Sequence, residues 1–334
     1  MRIGITYDLK GDIPVSPGAP DDLQEEFDSP VTIDAIATVL RSLGHEVRKL
    51  GDGRSLLERL LADPPDFVFN FAEGQGTGRS REARVPAVLE MLGIAYTGSD
   101  PLTLAVTLDK ECAKRLAASY GIRVPKDITV HGLEPDLDSE SLRTVHFPLI
   151  VKPAWEGSSK GIRNRCLVQN KEQLRAVLRE MSGAYQQPLL VEEYIQGDEL
   201  TVGLLGNGRP EILGIMRVTP VEPVEHFVYS LEVKRDYLRQ VRYECPARLP
   251  SAQTKAVGDA ALKAFSALGC RDVARIDFRL RDGVPYFLEV NPLPGLNPES
   301  SDLVIMAKLV GWTYAQLVTA ILEAAFKRHQ SSLR

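Results

Sequence analysis

Arg275-Ile276-Asp277-Phe278-Arg279-Leu280-Arg281-Asp282-Gly283-Val284-Pro285-Tyr286-Phe287-Leu288-Glu289-Val290-Asn291-Pro292-Leu293-Pro294-Gly295 is the stretch whose reading decides the fold. Two strand-like runs, Val273–Leu280 and Pro285–Val290, flank Asp282-Gly283, a dipeptide that suits a tight hairpin turn. Side chains alternate faces along a strand. Arg275, Asp277 and Arg279 therefore share one face, and Ala274, Ile276, Phe278 and Leu280 the apolar other. Glu289 and Asn291 share a face, with Leu288 and Val290 opposite, and the turn brings Asp277 across from Glu289. Two carboxylates and a carboxamide oxygen thus converge beside an arginine. Magnesium takes hard oxygen ligands, often one or two carboxylates, and completes its shell with phosphate and water. The set Asp277, Glu289 and Asn291 is accordingly expected to hold Mg²⁺–ATP. A lone Asp/Glu pair would read as a solvated charged face; the matched parity, the turn and the Pro/Gly loop after Asn291 favour the metal.

Working outward, the chain has 334 residues, 44% hydrophobic and 25% charged. At about 150 residues per domain this predicts two domains or three small ones. The composition excludes a disordered or fibrous chain. A net charge of −5 disfavours a wholesale nucleic-acid binder. Cys112, Cys166, Cys245 and Cys270 are scattered, as are the 5 histidines, so neither a zinc ribbon nor a redox pair is expected. Charge soon interrupts the N-terminal apolar residues and no long apolar window follows. The expectation is a cytoplasmic α/β protein without leader or membrane span.

Toward the N-terminus, Arg2–Thr6, Glu46–Leu50, Asp66–Phe71 and Ile94–Thr97 read as strands. Between them lie helices from Ser29-Pro30 to Gly44, around Ser55–Leu61, and over Glu82–Leu92. This alternation implies a parallel sheet. A second unit starts with a helix over Leu108–Tyr120, then strand-like Arg123–Val130, a polar loop over His131–Thr144, an apolar run Phe147–Val151, and a helix over Glu172–Met181. From Pro188 strands dominate: Leu189–Ile195, Leu200–Leu205, Glu211–Val218 and Val241–Glu244. Helices at Thr254–Leu268, Leu303–Leu309 and Thr313–His329 complete an α+β unit.

Two further segments bear chemistry. Lys152-Pro153 ends the apolar run and precedes Glu156-Gly157-Ser158-Ser159-Lys160-Gly161, a loop able to fold over phosphates with backbone N–H groups and hydroxyls. It is not a P-loop, and a flexible surface turn would read alike. Glu192-Glu193-Tyr194-Ile195-Gln196-Gly197-Asp198-Glu199 is a strand ending in carboxylates. Such an end can meet adenine through backbone and a ribose through a glutamate, although an ordinary edge strand looks similar.

Together these segments resemble the ATP-grasp superfamily and, within it, the D-alanine–D-alanine ligases. The matches run in order from about Arg2 to Leu317. They are Tyr96-Thr97-Gly98-Ser99 with Asp109-Lys110 and Lys114; Lys152-Pro153 with Glu156-Gly157-Ser158-Ser159; Arg275-Ile276-Asp277; and Glu289-Val290-Asn291 with Pro294-Gly295 and Ser300. The resemblance implies an ATP-grasp fold, α/β and α+β. A Rossmann-like substrate domain over residues 1–102 would precede ATP-grasp subdomains over 103–188 and 189–334 that clamp ATP. It also implies an ATP-dependent carboxylate–amine ligase joining amino acids through an acyl phosphate.

Carried over residue by residue, Lys114 and Lys152 would hold the ATP phosphates under the Ser159 loop. Glu192, Glu193 and Ile195 would line the adenine site, and Glu199 would meet the ribose. Lys234 would close a loop over the γ-phosphate. Asp277, Glu289 and Asn291 would bind two Mg²⁺, with Mn²⁺ as a substitute. Arg275 and the Gly295 N–H would stabilise the oxyanion, Ser300 would take the second substrate's carboxylate, and Glu25 the first substrate's ammonium. The implied partners are amino-acid or peptide substrates and a second copy of the chain, with no nucleic acid or membrane.

Three departures fall on substrate recognition. Leu9–Asp28 is long and lacks the family's short Gly-rich turn. Asn70–Gly76 and Ser80–Ala83 replace a His-Gly…Gly-Glu-Asp-Gly stretch. Arg235 stands where a tyrosine usually locks the first substrate site with the serine, here Ser158. Arg79, Arg81 and Arg235 are thus either solvated loop arginines or a means of admitting an acidic or larger substrate. The open alternatives are a ligase joining an amino acid to a peptide or natural-product carboxylate, and a non-catalytic ATP-binding regulator. Trp155 either packs or stacks on a ligand, Cys112 reads as a packed small residue, and Gly74–Gly78 as a loop without a nucleotide.

Overall fold

The computed structural model describes residues 1–11, 18–132 and 145–330. Most of the expected polar loop, 133–144, lies outside the described residues. Three sheets organise the rest.

Strands β1 (Arg2–Tyr7), β2 (Glu46–Lys49) and β3 (Phe67–Phe71) form a parallel sheet in the order β2-β1-β3. Ile3, Ile5, Phe67, Val68 and Phe69 are buried, as expected of a parallel sheet covered on both faces. The helix Pro30–Ser42 starts where the Ser29 hydroxyl accepts the Thr32 N–H at 3.4 Å, with Pro30 in its first turn.

One expectation shifts here. Ile94–Thr97 contributes one parallel bridge, Val68 to Tyr96, and not a strand; Gly98, at φ +91°, turns the chain away. Two helices stand here: Pro101–Leu108, not expected from the sequence, and Lys110–Ser119, which matches the expectation over Leu108–Tyr120. Asp100 caps the first, accepting the Thr103 N–H at 2.8 Å. Pro101 is therefore a helix start. Asp109 breaks the pair with extended backbone and caps the second helix by accepting the Cys112 N–H at 3.0 Å. Lys110 and Lys114 then lie one turn apart on one face.

Strands β4 (Asp127–Val130), β5 (Leu149–Pro153), β6 (Leu167–Val168) and β7 (Leu189–Glu193) form a sheet in the order β4-β7-β5-β6, packed on the helix Lys171–Tyr185. β7 pairs with β4 and β5, so it belongs to this middle sheet although it follows the boundary expected at 188. The rise in strand density there marks composition, not a change of sheet.

Strands β8 (Asp198–Leu205), β9 (Glu211–Pro220), β10 (Val241–Glu244), β11 (Val273–Arg281) and β12 (Val284–Asn291) form an antiparallel sheet in the order β10-β9-β8-β11-β12. Val257, Ala261, Ala264 and Phe265 of the helix Ser251–Ala267 cover one face. The turn forms at Asp282 (φ +52°) and Gly283 (φ +78°), and Asp277 pairs directly with Glu289. A β-bulge follows: Phe278 pairs with Phe287, skipping Leu288. Phe287 consequently joins Val290 in the core, while Leu288 turns to the same cavity as Glu289. The expected placement of Leu288 with Val290 is thereby corrected.

One hydrophobic core runs from Ile3, Ile5 and Phe67 of the first sheet to Leu317 and Ile321 of the last helix, Tyr314–Arg328, and on to Leu205 and Val273 of the third sheet. Arg328 reinforces the junction, donating to the Tyr96 and Gly98 carbonyls at 3.0 Å and meeting Asp272 at 2.7 Å. Among the described residues no single helix is long and apolar enough to cross a membrane.

Candidate active site

A cavity opens between the middle and third sheets. Lys152, at the end of β5, and Glu192, near the end of β7, face into it. Lys114, Lys152 and Glu192 are all buried. Lys152 Nζ lies 2.6 Å from Glu192 Oε1, Lys114 pairs with the same carboxylate, and Asp127 stands 3.6 Å from Lys114 Nζ. Burial pushes Lys114 down to about 8, with Lys110 adding to the effect. Burial and Lys114 hold Lys152 well below the ordinary lysine range. Two ammonium groups that share one close carboxylate are poised for an anion such as phosphate.

The cavity's other end is built by β7 and β11. The Glu193 N–H is spent on the Lys126 carbonyl at 2.8 Å, and its carboxylate pairs with Arg281 at 2.7 Å. Ile195 is buried against the cavity, and its N–H donates to no described residue. Glu199 is held by Arg279 at 2.6 Å, and Arg279 also donates to the Gly197 carbonyl at 3.1 Å. Leu288, Val228 and Ile195 give this end apolar walls.

At the hairpin, Arg275 Nη2 meets Asp277 Oδ2 at 2.9 Å, and its Nη1 reaches Asp302 at 3.3 Å. Thr201 donates to Asp277 from β8. Glu289 takes Lys110 Nζ at 2.9 Å, and that lysine also donates to the Glu156 carbonyl at 2.6 Å. Burial alone would raise Glu289, yet Lys110 and Lys152 hold it far below the carboxylate range. Asp277 is raised, by burial and by Glu289, against the pull of Arg275. Like charges set directly across a ladder repel, so this pair favours an added cation. Asn291 directs its amide N–H toward Asp277 at 3.4 Å; turned over, the same amide would present its oxygen. An all-oxygen set of two carboxylates and one amide fits Mg²⁺ completed by phosphate and water.

The loop after β5 covers this region. Ser158 (φ +49°) and Ser159 (φ +59°) are both left-handed, a strained arrangement for side chains with a Cβ. Ser159 Oγ donates to the Tyr229 carbonyl at 3.2 Å. The Gly161 N–H donates to Asp22 at 2.9 Å, and the Gly157 N–H to Glu26. Lys234, on the short helix Leu231–Arg235, places its Nζ 5.0 Å from the Tyr229 ring centre and lines the cavity.

Two further cavities share lining residues with the first. One is lined by Glu73, Glu82, Lys110, Ser158, Arg275 and Gly295 among others. The other is lined by Glu25, Asp28, Ser158, Lys234, Arg275, Gly295 and Ser300 among others. Arg275 lines all three cavities. The Gly295 N–H donates to no described residue, and a Cβ at Gly295 would come within 2.9 Å of Ser301 Oγ, so glycine keeps this backbone open.

A family model for the C-terminal part of D-Ala–D-Ala ligases matches residues 117–323. The chain belongs to the D-alanine–D-alanine ligase family. A D-alanine–D-alanine ligase of Rhizorhabdus wittichii is 35% identical over 302 residues, covering 87% of this chain and 89% of its own. An uncharacterized protein of Sinorhizobium fredii is 37% identical, with 89% and 88% covered. A Bacillus anthracis D-alanine–D-alanine ligase solved with ATP superposes with a TM-score of 0.75 over 99% of both chains at 26% identity. The ATP-grasp fold follows.

Against that family background, several arginines are spent. Arg81 is 1% exposed and bridges Glu26 at 2.7 Å and Glu156 at 3.0 Å. Arg79 pairs with Asp109 at 2.7 Å and lies 6.0 Å from the Trp155 ring centre. Arg235 pairs with Asp21 and Glu25, each at 2.7 Å. Of the two alternatives for these arginines, Arg81 is not a solvated loop residue, and in this structure each of the three pairs with a carboxylate of the protein itself. Glu25 is likewise engaged, by Arg235 and by Lys10 at 3.8 Å, so an ammonium arriving there meets a carboxylate already paired. Trp155 packs, donating to Asp109 at 3.2 Å.

Sequence reasoning gave no role to Lys110, Thr201, Arg279 or Asp302. The Asp109 cap could have flagged Lys110 as the first residue of a new helix. Thr201 and Arg279 act across strands, Asp302 acts from the start of a helix, and none carries a local signal.

Proposed function

We infer that this chain is an ATP-dependent ligase that joins two amino acids, as D-alanine–D-alanine ligases do. The observation that carries the reading is Arg275 at the junction of three cavities, one with phosphate-type cations and two that share Ser158 and Gly295. ATP lies between the middle and third sheets, adenine against Ile195, ribose at Glu199, phosphates at Lys114 and Lys152, with Lys234 closing over the γ-phosphate. A substrate carboxylate oxygen attacks that phosphorus, ADP leaves, and an acyl phosphate forms. The amine of the second substrate, its carboxylate at Ser300, attacks the acyl carbon. Arg275 and the Gly295 N–H hold the resulting oxyanion, and phosphate departs as the amide forms. Asp277, Glu289 and Asn291 would hold Mg²⁺, which would supply charge neutralisation to the transferring phosphate. The protein's part is to position groups and neutralise charge.

The same reading takes the substrates to be amino acids or short peptides and the chain to be a cytoplasmic homodimer, which light scattering checks. The decisive experiment incubates the protein with ATP, Mg²⁺ and single or paired D- and L-amino acids. Phosphate release with a dipeptide product of the matching mass is expected. A broad panel that yields neither would overturn the reading.

A further inference from the structure

Glu73 and Glu82 sit in the stretch where this chain departs from its family, and the mechanism leaves them unused. Both line a cavity that ends at Arg275, Gly295 and Ser158. Glu82 is 7% exposed, and neither carboxylate has a hydrogen bond or ion pair among the described residues. The neighbouring cations are already committed: Arg81 to Glu26 and Glu156, Lys160 to Glu156 at 2.9 Å, and Lys110 to Glu289 at 2.9 Å. Arg275 is shared by Asp277 and Asp302. Two carboxylates are therefore left over, facing a space that opens on the reacting centre. A desolvated carboxylate without a partner is costly. Burial, together with Glu82 and Glu26, raises Glu73 well above its ordinary range, and burial pushes Glu82 up to about 7 against the pull of Arg81.

We propose that the Glu73–Glu82 cavity seats a second cationic group of the amino acid whose carboxylate is activated, so that this substrate is a diamino acid. The proposal rests on the ligase reading and specifies its acyl substrate. The carboxylate of that substrate lies at Arg275 and Gly295, where the cavities meet. The cavity holding Asp28 opens from the same point and offers a separate place for the α-ammonium. An ammonium between Glu73 and Glu82 completes a charge balance that the protein leaves unfinished.

The test measures binding by calorimetry with a non-hydrolysable ATP analogue and Mg²⁺. The probes are alanine, 2,3-diaminopropionate, 2,4-diaminobutyrate, ornithine and lysine, in both hands. At least one diamino acid is expected to bind wild type about tenfold or more tightly than alanine of the same hand. Glu82→Gln should abolish that advantage and leave alanine binding unchanged, whereas Glu82→Asp, which keeps the charge, should retain part of it. Glu73→Gln provides the same test should Glu82→Gln fail to fold. The proposal is overturned if alanine binds wild type as tightly as every diamino acid, or if the advantage survives both glutamine variants. It is also overturned if alanine binding falls in parallel, since the cavity would then seat the α-ammonium. Failure of the ligase reading is separate: wild type would release no phosphate with any of these acids, whatever they bind.

Discussion

Lys110 Nζ stands 2.9 Å from Glu289 Oε2, so the first residue of a helix supplies a cation to a carboxylate that we propose as a magnesium ligand. A lysine on one flank leaves the other carboxylate oxygen for a metal and keeps a buried acid ionised in the meantime.

Lys110→Met removes that partner. Breaking a buried ion pair costs about 3–5 kcal/mol, and urea denaturation of the apo protein should show a loss of that order. Added Mg²⁺ should recover more stability in the variant than in wild type, because the metal then supplies the missing charge. Equal Mg²⁺ effects in both proteins would count against Glu289 as a ligand.

Glu289→Gln tests the same carboxylate in turnover. The amide keeps the shape and loses the charge opposite Asp277. Phosphate release should fall by about 100-fold or more, equivalent to roughly 2.7 kcal/mol of barrier. Unchanged turnover would remove Glu289 from the metal site.

Arg81→Met tests a structural role for that arginine. It leaves Glu26 and Glu156 buried without their shared partner, and a stability loss of about 3–5 kcal/mol is expected in denaturant. A substrate-binding arginine would instead raise KM and leave the midpoint in place.

Asp28 gives a pH prediction. Burial pushes its carboxyl up to about 8, from an ordinary 3.8. The folded protein therefore binds this proton more tightly than the unfolded chain, and its stabilising contribution is present at low pH and lost as pH rises toward 8. Asp28→Asn should gain stability relative to wild type by about 1 kcal/mol or more between pH 5 and pH 9. Parallel pH–stability curves would disprove the shift.

The hairpin was legible because Asp282-Gly283 sets the register, and Asp277 does pair with Glu289. Leu288 was misplaced because period-2 reasoning cannot see a bulge that pairing with β11 imposes. The helix starting at Pro101 escaped sequence reasoning because a proline can follow one element and begin another, and the Asp100 cap tells which. Arg81 was beyond local reasoning. Its partners Glu26 and Glu156 are 55 and 75 residues away, and a charged residue's burial is decided by whichever segments close over it.

One continuous core from Ile3 to Leu317 joins the first and third sheets, and Arg328 bridges the same junction. The middle sheet has its own core, and the Glu26, Arg81, Glu156 and Lys160 cluster and the Ser159–Tyr229 bond lie at its margin. Apolar packing thus ties two sheets together while buried charge helps hold the third, so removing that charge should loosen the middle sheet before the shared core.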